Sequence, residues 1–146
     1  MTLQGWDPGR LDELVPMWRE SFEFGVGIID PHPLAAQREY FLTQVLPGHE
    51  VCLALHDGQL VGFAAASAES VSQLFVRVGW HGQGIGKRLL EWAKTQSNGS
   101  LWLFAFARNH KACAFYESQG FHVVARGFEP TWQLDDVKYA WHAATA

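Results

Sequence analysis

The chain has 146 residues, of which 48% are hydrophobic and 18% charged, and its net charge is −4. That length suits one domain, residues 1–146, with a core that needs no disulfide staples, and the composition excludes a disordered chain. The acidic balance argues against a nucleic-acid-binding surface, which requires a basic footprint, but not against a local anion site.

Taken in chain order, Asp7-Pro8 forms a helix start, with Asp as N-cap and Pro at the first helical position. Leu11, Leu14, Val15, Trp18 and Phe22 then recur at helical spacing, with Pro16 inside the run, where a kink is expected. The loop GVGIIDPHP follows. Pro33 opens a second helix carrying Leu34, Arg38, Phe41 and Val45 on one face, and Pro47-Gly48 ends it. The period then changes. EVCLALHDGQLVGFAAAS reads as two strands around Asp57-Gly58, a strong hairpin signal, and SVSQLFVRV as a third. A glycine-rich turn leads into a helix marked by Ile85, Leu89, Trp92, Ala93 and Gln96, closed by Asn98-Gly99. LWLFAFA is a short, near-continuous apolar strand, which predicts burial on both faces. Asn109 caps a fourth helix that Gly120 stops, and FHVVARGF and DVKYAWHA are the last strands. With Leu3–Trp6 as a first strand the order is βααβββαβαββ, a mixed sheet with helices on its faces.

Cys52 and Cys113 lie far apart in apolar contexts and have no zinc or redox spacing, so they read as buried free thiols. The seven histidines form no HxxxH or HExxH pattern, so no metal is expected. No apolar leader or membrane-length run is present, which makes a soluble cytoplasmic protein the default expectation and a membrane partner unexpected.

The turn in VGWHGQGIGKRLLEWA places Gly79, Gly82, Gly84 and Gly86 before a helix that carries Lys87 and Arg88 near its start. The first N–H groups of a helix lack internal partners and favour an anion, and glycine lets a ligand approach the backbone closely. Two cations there are disfavoured by the helix dipole unless an anion binds. A Walker A loop would need Gly at His81 and Ser or Thr at Arg88. A dinucleotide GxGxxG would need Gly at Lys87 or Leu89. Read alone, the turn is a phosphate cradle or a tight connection with no ligand, and the local residues do not decide between them.

The turn His81-Gly82-Gln83-Gly84-Ile85-Gly86, together with NHKACAFYESQGF downstream, resembles the GNAT superfamily of acetyl-CoA-dependent N-acetyltransferases. Asn109, Ala112, Phe115-Tyr116-Glu117 and Gly120-Phe121 carry the second motif, and LFV before the turn also fits. The likeness covers about residues 50–126 well and the N-terminal helices by pattern only. The first signature position, usually Gln or Arg, is His81, and no side-chain role carries over to it.

The resemblance implies an α/β (α+β) fold with a mixed, mostly antiparallel sheet of about seven strands flanked by about four helices. It implies acetyl-CoA as co-substrate, with the pyrophosphate on the backbone of Gln83, Gly84, Ile85, Gly86 and Lys87. The pantetheine arm would lie beside Leu74, Phe75 and Val76, where a backbone N–H polarises the thioester, and Asn109 would touch the coenzyme. Tyr116 matches the acid that protonates the leaving thiolate and also borders the coenzyme. An unperturbed phenol is about 2 kcal/mol too weak for stepwise transfer, so the step must be concerted or the site must lower its pKa. Glu69, near the start of the fourth strand and about one residue off the family's position, is the expected base.

The loops between the first helices and before the last strand would shape the acceptor cleft. They offer Phe22, Phe24, Phe128 and Trp132 with Glu23, Asp30, Glu129, Asp135 and Asp136, which suits a cationic amine. The expected partner is an amine acceptor, and the aromatics permit a homodimer. The expected activity is direct acetyl transfer in a ternary complex to a primary amine of a small molecule or peptide. The alternatives are a module that holds acyl-CoA without turnover and an unrelated phosphate-binding domain.

Overall fold

A computed structural model describes residues 1–144 of the chain. Strand β1 (Thr2–Gly5) leads into Asp7, whose Oδ1 accepts the Gly9 N–H at 2.9 Å and starts a single 3-10 turn, Pro8–Arg10. Helix α1 (Leu11–Val26) runs on through Pro16 and ends at Gly27, whose φ of 77° is the left-handed stop that glycine takes readily. Helix α2 (Leu34–Tyr40) continues into one π-helical turn, Phe41–Val45, which buries Phe41 and Val45 in the core. The sequence pattern of one helix therefore becomes two helical geometries, and the wider turn keeps the apolar face inward.

Strands β2 (Glu50–His56) and β3 (Gln59–Ala66) join through Asp57 and Gly58, both at positive φ (50° and 80°), as a two-residue hairpin turn of primed type requires. Strand β4 (Val71–Val76) completes an antiparallel sheet in the order β1-β2-β3-β4. Alternate residues of β2 serve opposite cores. Val51, Leu53 and Leu55 pack with Leu14, Trp18, Phe41 and Phe63 beneath α1 and α2, whereas Cys52 and Ala54 pack with Val61, Ala64, Ile85 and Leu89 beneath α3 (Ile85–Gln96). The small residues on the α3 side set the distance. A Cβ on Gly62 would stand 2.8 Å from the Phe75 carbonyl oxygen and 3.2 Å from Ile85 and Leu89.

Strand β5 (Ser100–Phe106), helix α4 (His110–Ser118), strand β6 (His122–Glu129) and strand β7 (Leu134–His142) complete the fold, with a second antiparallel sheet in the order β5-β7-β6. Its core gathers Leu90, Ala93, Leu101, Leu103, Tyr116 and Tyr139. Among the described residues, the seven strands and four α-helices agree with the mixed, mostly antiparallel expectation.

One expectation needs correction. The β5 run is not buried on both faces, because Trp102 and Phe104 are 39% and 55% exposed. They alternate with buried Leu101 and Leu103, and the Lys138 ammonium sits 4.9 Å and 5.9 Å above their rings. A cation over an aromatic face lets an apolar run stand in water on one side.

The two sheets touch at the start of β4. Ser70 bridges Trp102 in parallel fashion, and the Trp102 N–H donates to the Glu69 carbonyl at 3.0 Å. Beyond that point no ladder joins β4 to β5 among the described residues.

Candidate active site

The parting of β4 from β5 leaves β4 with an unpaired edge. The Arg77 N–H donates to the Val61 carbonyl at 2.8 Å, so by strand alternation the N–H groups of Phe75 and Gln73 also face β3. Those of Leu74 and Val76 then face the gap. The Val76 carbonyl on that edge accepts the buried Ser21 hydroxyl of α1 at 3.0 Å. The edge thus offers donors, while one acceptor on it is already taken.

A cavity of about 690 Å³ occupies this gap. Of the residues the sequence assigns to the coenzyme, Leu74, Phe75, Asn109 and Tyr116 line it, whereas Val76 and Gln83 to Lys87 lie outside its lining. Val76 lies at the end of the same edge, and the turn begins beyond it. Gly79, Gly82 and Gly84 have φ of 93°, 81° and 80°, and a Cβ on any of them would meet nothing within 4 Å. Gly84 precedes α3 and no side chain caps the helix start. The turn before α3 and the first residues of that helix, Gln83 to Lys87, therefore leave an open run of backbone donors of the kind that accepts an anion. Gly86 faces inward, and a Cβ there would reach 3.4 Å from the Phe115 ring and 3.6 Å from Val76. Lys87 and Arg88 are exposed on the first turns of α3.

His81 lies stacked on Phe24 of α1, with ring centroids 5.8 Å apart and an interplanar angle of 19°. Burial, and secondarily the Lys111 ammonium, lower its pKa from the ordinary imidazole value. The ring therefore braces the turn without adding charge to it. Phe24 is thereby assigned to the turn rather than to the acceptor cleft.

Asn109 caps α4, its Oδ1 accepting the Ala112 N–H at 3.2 Å. Its Nδ2 lies 2.9 Å from where a Cβ on Gly25 would stand, so α1 lies close against it there. Tyr116, on the same helix, is only 8% exposed. Burial, with a smaller contribution from Cys113, pushes its phenol well above the usual tyrosine range. Burial thus raises this pKa, the opposite of the shift that stepwise donation from Tyr116 would require.

Glu69 is not brought to the cavity. It is exposed on the β3–β4 turn, where Ser67 Oγ accepts the N–H groups of Glu69 and Ser70 at 3.2 Å and 3.1 Å. The position near the start of β4 that the sequence assigned to a base belongs to a hydrogen-bonded turn outside the cavity lining.

The same cavity is also lined by Phe22, Asp30, Glu129, Trp132 and Asp136. Phe22 packs on Trp132 at 5.1 Å and on Phe106 at 6.2 Å. Glu129 accepts the N–H groups of Trp132 at 2.6 Å and Thr131 at 3.1 Å. Burial works against its charge, but these bonds prevail and hold the carboxyl below the usual range. Phe128 is 59% exposed and, like Asp135, lies outside the lining. Glu23 sits behind the lining, its Oε2 accepting the Asp30 N–H at 2.6 Å.

The sequence reading missed Gln37 and Tyr40 of α2, Gln73 as a cavity residue, and His32. The signal for His32 was Asp30-Pro31-His32, a carboxylate two residues from an imidazole. Asp30 Oδ1 lies 2.7 Å from His32 Nδ1 and accepts the His32 N–H at 2.8 Å.

Comparison with known proteins bears on this geometry. The family model described as "Acetyltransferase (GNAT) domain" matches residues 47–123. The peptidyl-lysine N-acetyltransferase YjaB of Salmonella typhimurium is 31% identical over 127 residues, 86% of this chain and 83% of that protein. The peptidyl-lysine N-acetyltransferase YiaC of Escherichia coli is 31% identical over 86 residues, 58% of each chain. In fold, the chain is similar to apo YjaB from Escherichia coli, with a TM-score of 0.78, 22% identity and 98% of both chains covered. It is likewise similar to YncA from Salmonella typhimurium, solved with acetyl-CoA, with a TM-score of 0.75, 15% identity and coverage of 100% and 95%. No helix of the described residues is long and apolar enough to cross a membrane. With the family model matching residues 47–123 and a relative 31% identical over 86% of the chain, this chain belongs to the GNAT family and is an acetyltransferase.

Proposed function

We propose that the protein transfers the acetyl group of acetyl-CoA to a primary amine, with the lysine side chain of a peptide as the favoured acceptor, by direct attack in a ternary complex. The observation that carries this reading is the parted β4 edge. The unpaired N–H of Leu74 faces a cavity lined by aromatics and carboxylates, and the same strand edge runs on through Val76 toward the glycine turn and the uncapped start of α3.

Acetyl-CoA supplies the activated thioester, and the chain supplies its placement. Backbone donors of Gln83 to Lys87 would hold the pyrophosphate, and the Leu74 or Val76 N–H would stabilise charge on the carbonyl oxygen. The high pKa keeps the Tyr116 phenol protonated, as a donor to departing sulfur must be. Asp30, Glu129 and Asp136, with Trp132 and Phe22, form an acceptor end suited to an alkylammonium group. The names of the YjaB and YiaC relatives support a lysine acceptor.

The test is thiol release from acetyl-CoA across a panel comprising a blocked lysine peptide, a peptide with a free N-terminus and small diamines. Saturable release with the lysine peptide supports the proposal. Tight acetyl-CoA binding with no release for any amine overturns it.

A further inference from the structure

The acceptor end of the cavity contains a paired carboxylate and imidazole. Asp30 is nearly buried, with 8% of its side chain exposed, while the His32 side chain is 53% exposed and borders the cavity. The Asp30 carboxylate can only accept, so at 2.7 Å from Oδ1 the His32 Nδ1 carries the hydrogen. A neutral imidazole then has its lone pair on Nε2, available to a partner outside the chain.

The pair is held from several sides. Arg19 of α1 places Nε 3.2 Å from the other Asp30 oxygen, and its Nη2 donates to the His32 carbonyl at 2.6 Å. The same Nε donates to Gln37 of α2 at 2.7 Å, and Glu23 accepts the Asp30 N–H. Trp132, from the loop between β6 and β7, meets the His32 ring edge-on at 5.4 Å. Proline at 31 further stiffens the loop between the two side chains. An exposed loop histidine without a role would need none of this support.

The reaction needs such a group. An alkylammonium acceptor has a pKa of about 10.4, so at pH 7 only about one molecule in 2,500 is free amine. Glu69 stands outside the cavity. We propose that His32, oriented by Asp30, is the general base of the reaction, taking a proton from the acceptor ammonium at Nε2. This rests on the function proposed above. The neutral imidazole takes one N–H proton, directly or through a water, and becomes imidazolium beside the Asp30 carboxylate. The freed amine forms the new C–N bond to the acetyl carbon. The C–S bond breaks, and the sulfur leaves with its electron pair and takes the Tyr116 proton. The second ammonium proton, shed as the amide forms, restores the phenol, and His32 releases its proton to solvent. The products are the amide, CoA-SH and one proton. The charged groups that hold the pair are Asp30 from its own loop and Arg19 and Glu23 from α1, and Glu129 of β6 and Asp136 of β7 line the same cavity.

The test compares wild type, His32→Gln and Asp30→Asn, using a blocked lysine peptide and acetyl-CoA. His32→Gln should lower kcat/KM for the peptide about 10²-fold at pH 7, with coenzyme A affinity by calorimetry unchanged. The deficit should shrink as pH approaches about 10, where the amine loses its proton without help. Asp30→Asn should move in the same direction. Nitrogen NMR of the wild-type imidazole should show the hydrogen on Nδ1 in the neutral form. A His32→Gln enzyme within about 2-fold of wild type, a deficit constant with pH, or a hydrogen on Nε2 each overturns the assignment. Wild-type protein with no turnover on any amine overturns the proposed function, and the base with it. Turnover without these signatures overturns the base alone.

Discussion

The Ser21 hydroxyl, from the interior of α1, donates a buried 3.0 Å hydrogen bond to the Val76 carbonyl at the end of the β4 edge. It does what a neighbouring strand would otherwise do for that carbonyl, so β4 can end beside a cavity and not a ladder. Ser21→Ala leaves the Val76 carbonyl unpaired in a buried setting, which costs about 1–3 kcal/mol. Thermal unfolding should show the midpoint falling by several degrees. No change would mean that water satisfies the edge and that Ser21 does not shape the gap.

The turn glycines permit a graded test. At Gly84 a side chain would point into open space, but φ of 80° strains any L-residue. Asn tolerates that region and Val does not. Gly84→Asn should therefore keep the fold with stability within about 1 kcal/mol of wild type, and Gly84→Val should lose about 1–3 kcal/mol as well as coenzyme affinity. Equal stability of the two variants in denaturant titration would show that the turn is not held in this conformation.

Tyr116→Phe removes the proposed proton donor while keeping the ring that packs on Phe121 and Tyr139. Steady-state kinetics should show kcat falling about 10²-fold or more, with coenzyme affinity nearly unchanged. Unaffected kcat would remove Tyr116 from the chemistry.

The same residue makes a prediction about alkaline stability. Its folded pKa lies above the unfolded value of about 10, so the folded chain holds this proton more tightly. The corresponding stability is fully present below about pH 10 and is lost as pH rises from there toward the folded pKa, at about 1.4 kcal/mol per pH unit. Melting midpoints between about pH 9 and pH 11 should fall less steeply for Tyr116→Phe than for wild type. Parallel curves would contradict the burial argument.

Trp132 packs on both Phe22 and His32 at the proposed acceptor end. Trp132→Ala should raise KM for a lysine peptide about 10-fold while leaving KM for acetyl-CoA alone. Equal effects on both would place the tryptophan in the general packing of the cavity.

Much of this fold was legible because its signals are local. The Asp57-Gly58 hairpin, the Asn109 cap and the glycine stops each rest on a few neighbouring residues whose backbone geometry is nearly obligatory. The β5 faces were misread because an apolar run does not reveal that Lys138, more than thirty positions later, covers its aromatic side. The surroundings of Glu69 were not legible because the hydrogen bonds of Ser67 and Ser70 decide where strand gives way to turn, and a spacing cannot resolve one residue there. His32 was overlooked because its loop gains meaning only when Arg19 ties it to α1 beside the cavity. The role of His81 likewise came from Phe24, which is distant in sequence.

The most direct test of the central claim, that this cradle and this β4 edge hold the coenzyme, is amide chemical-shift mapping on titration with coenzyme A. The account predicts the largest saturable shifts at Gly82 to Lys87 and at Leu74 and Val76, with smaller ones at Asn109 and Tyr116. Saturable binding whose shifts fall elsewhere, or no binding at all, would contradict it.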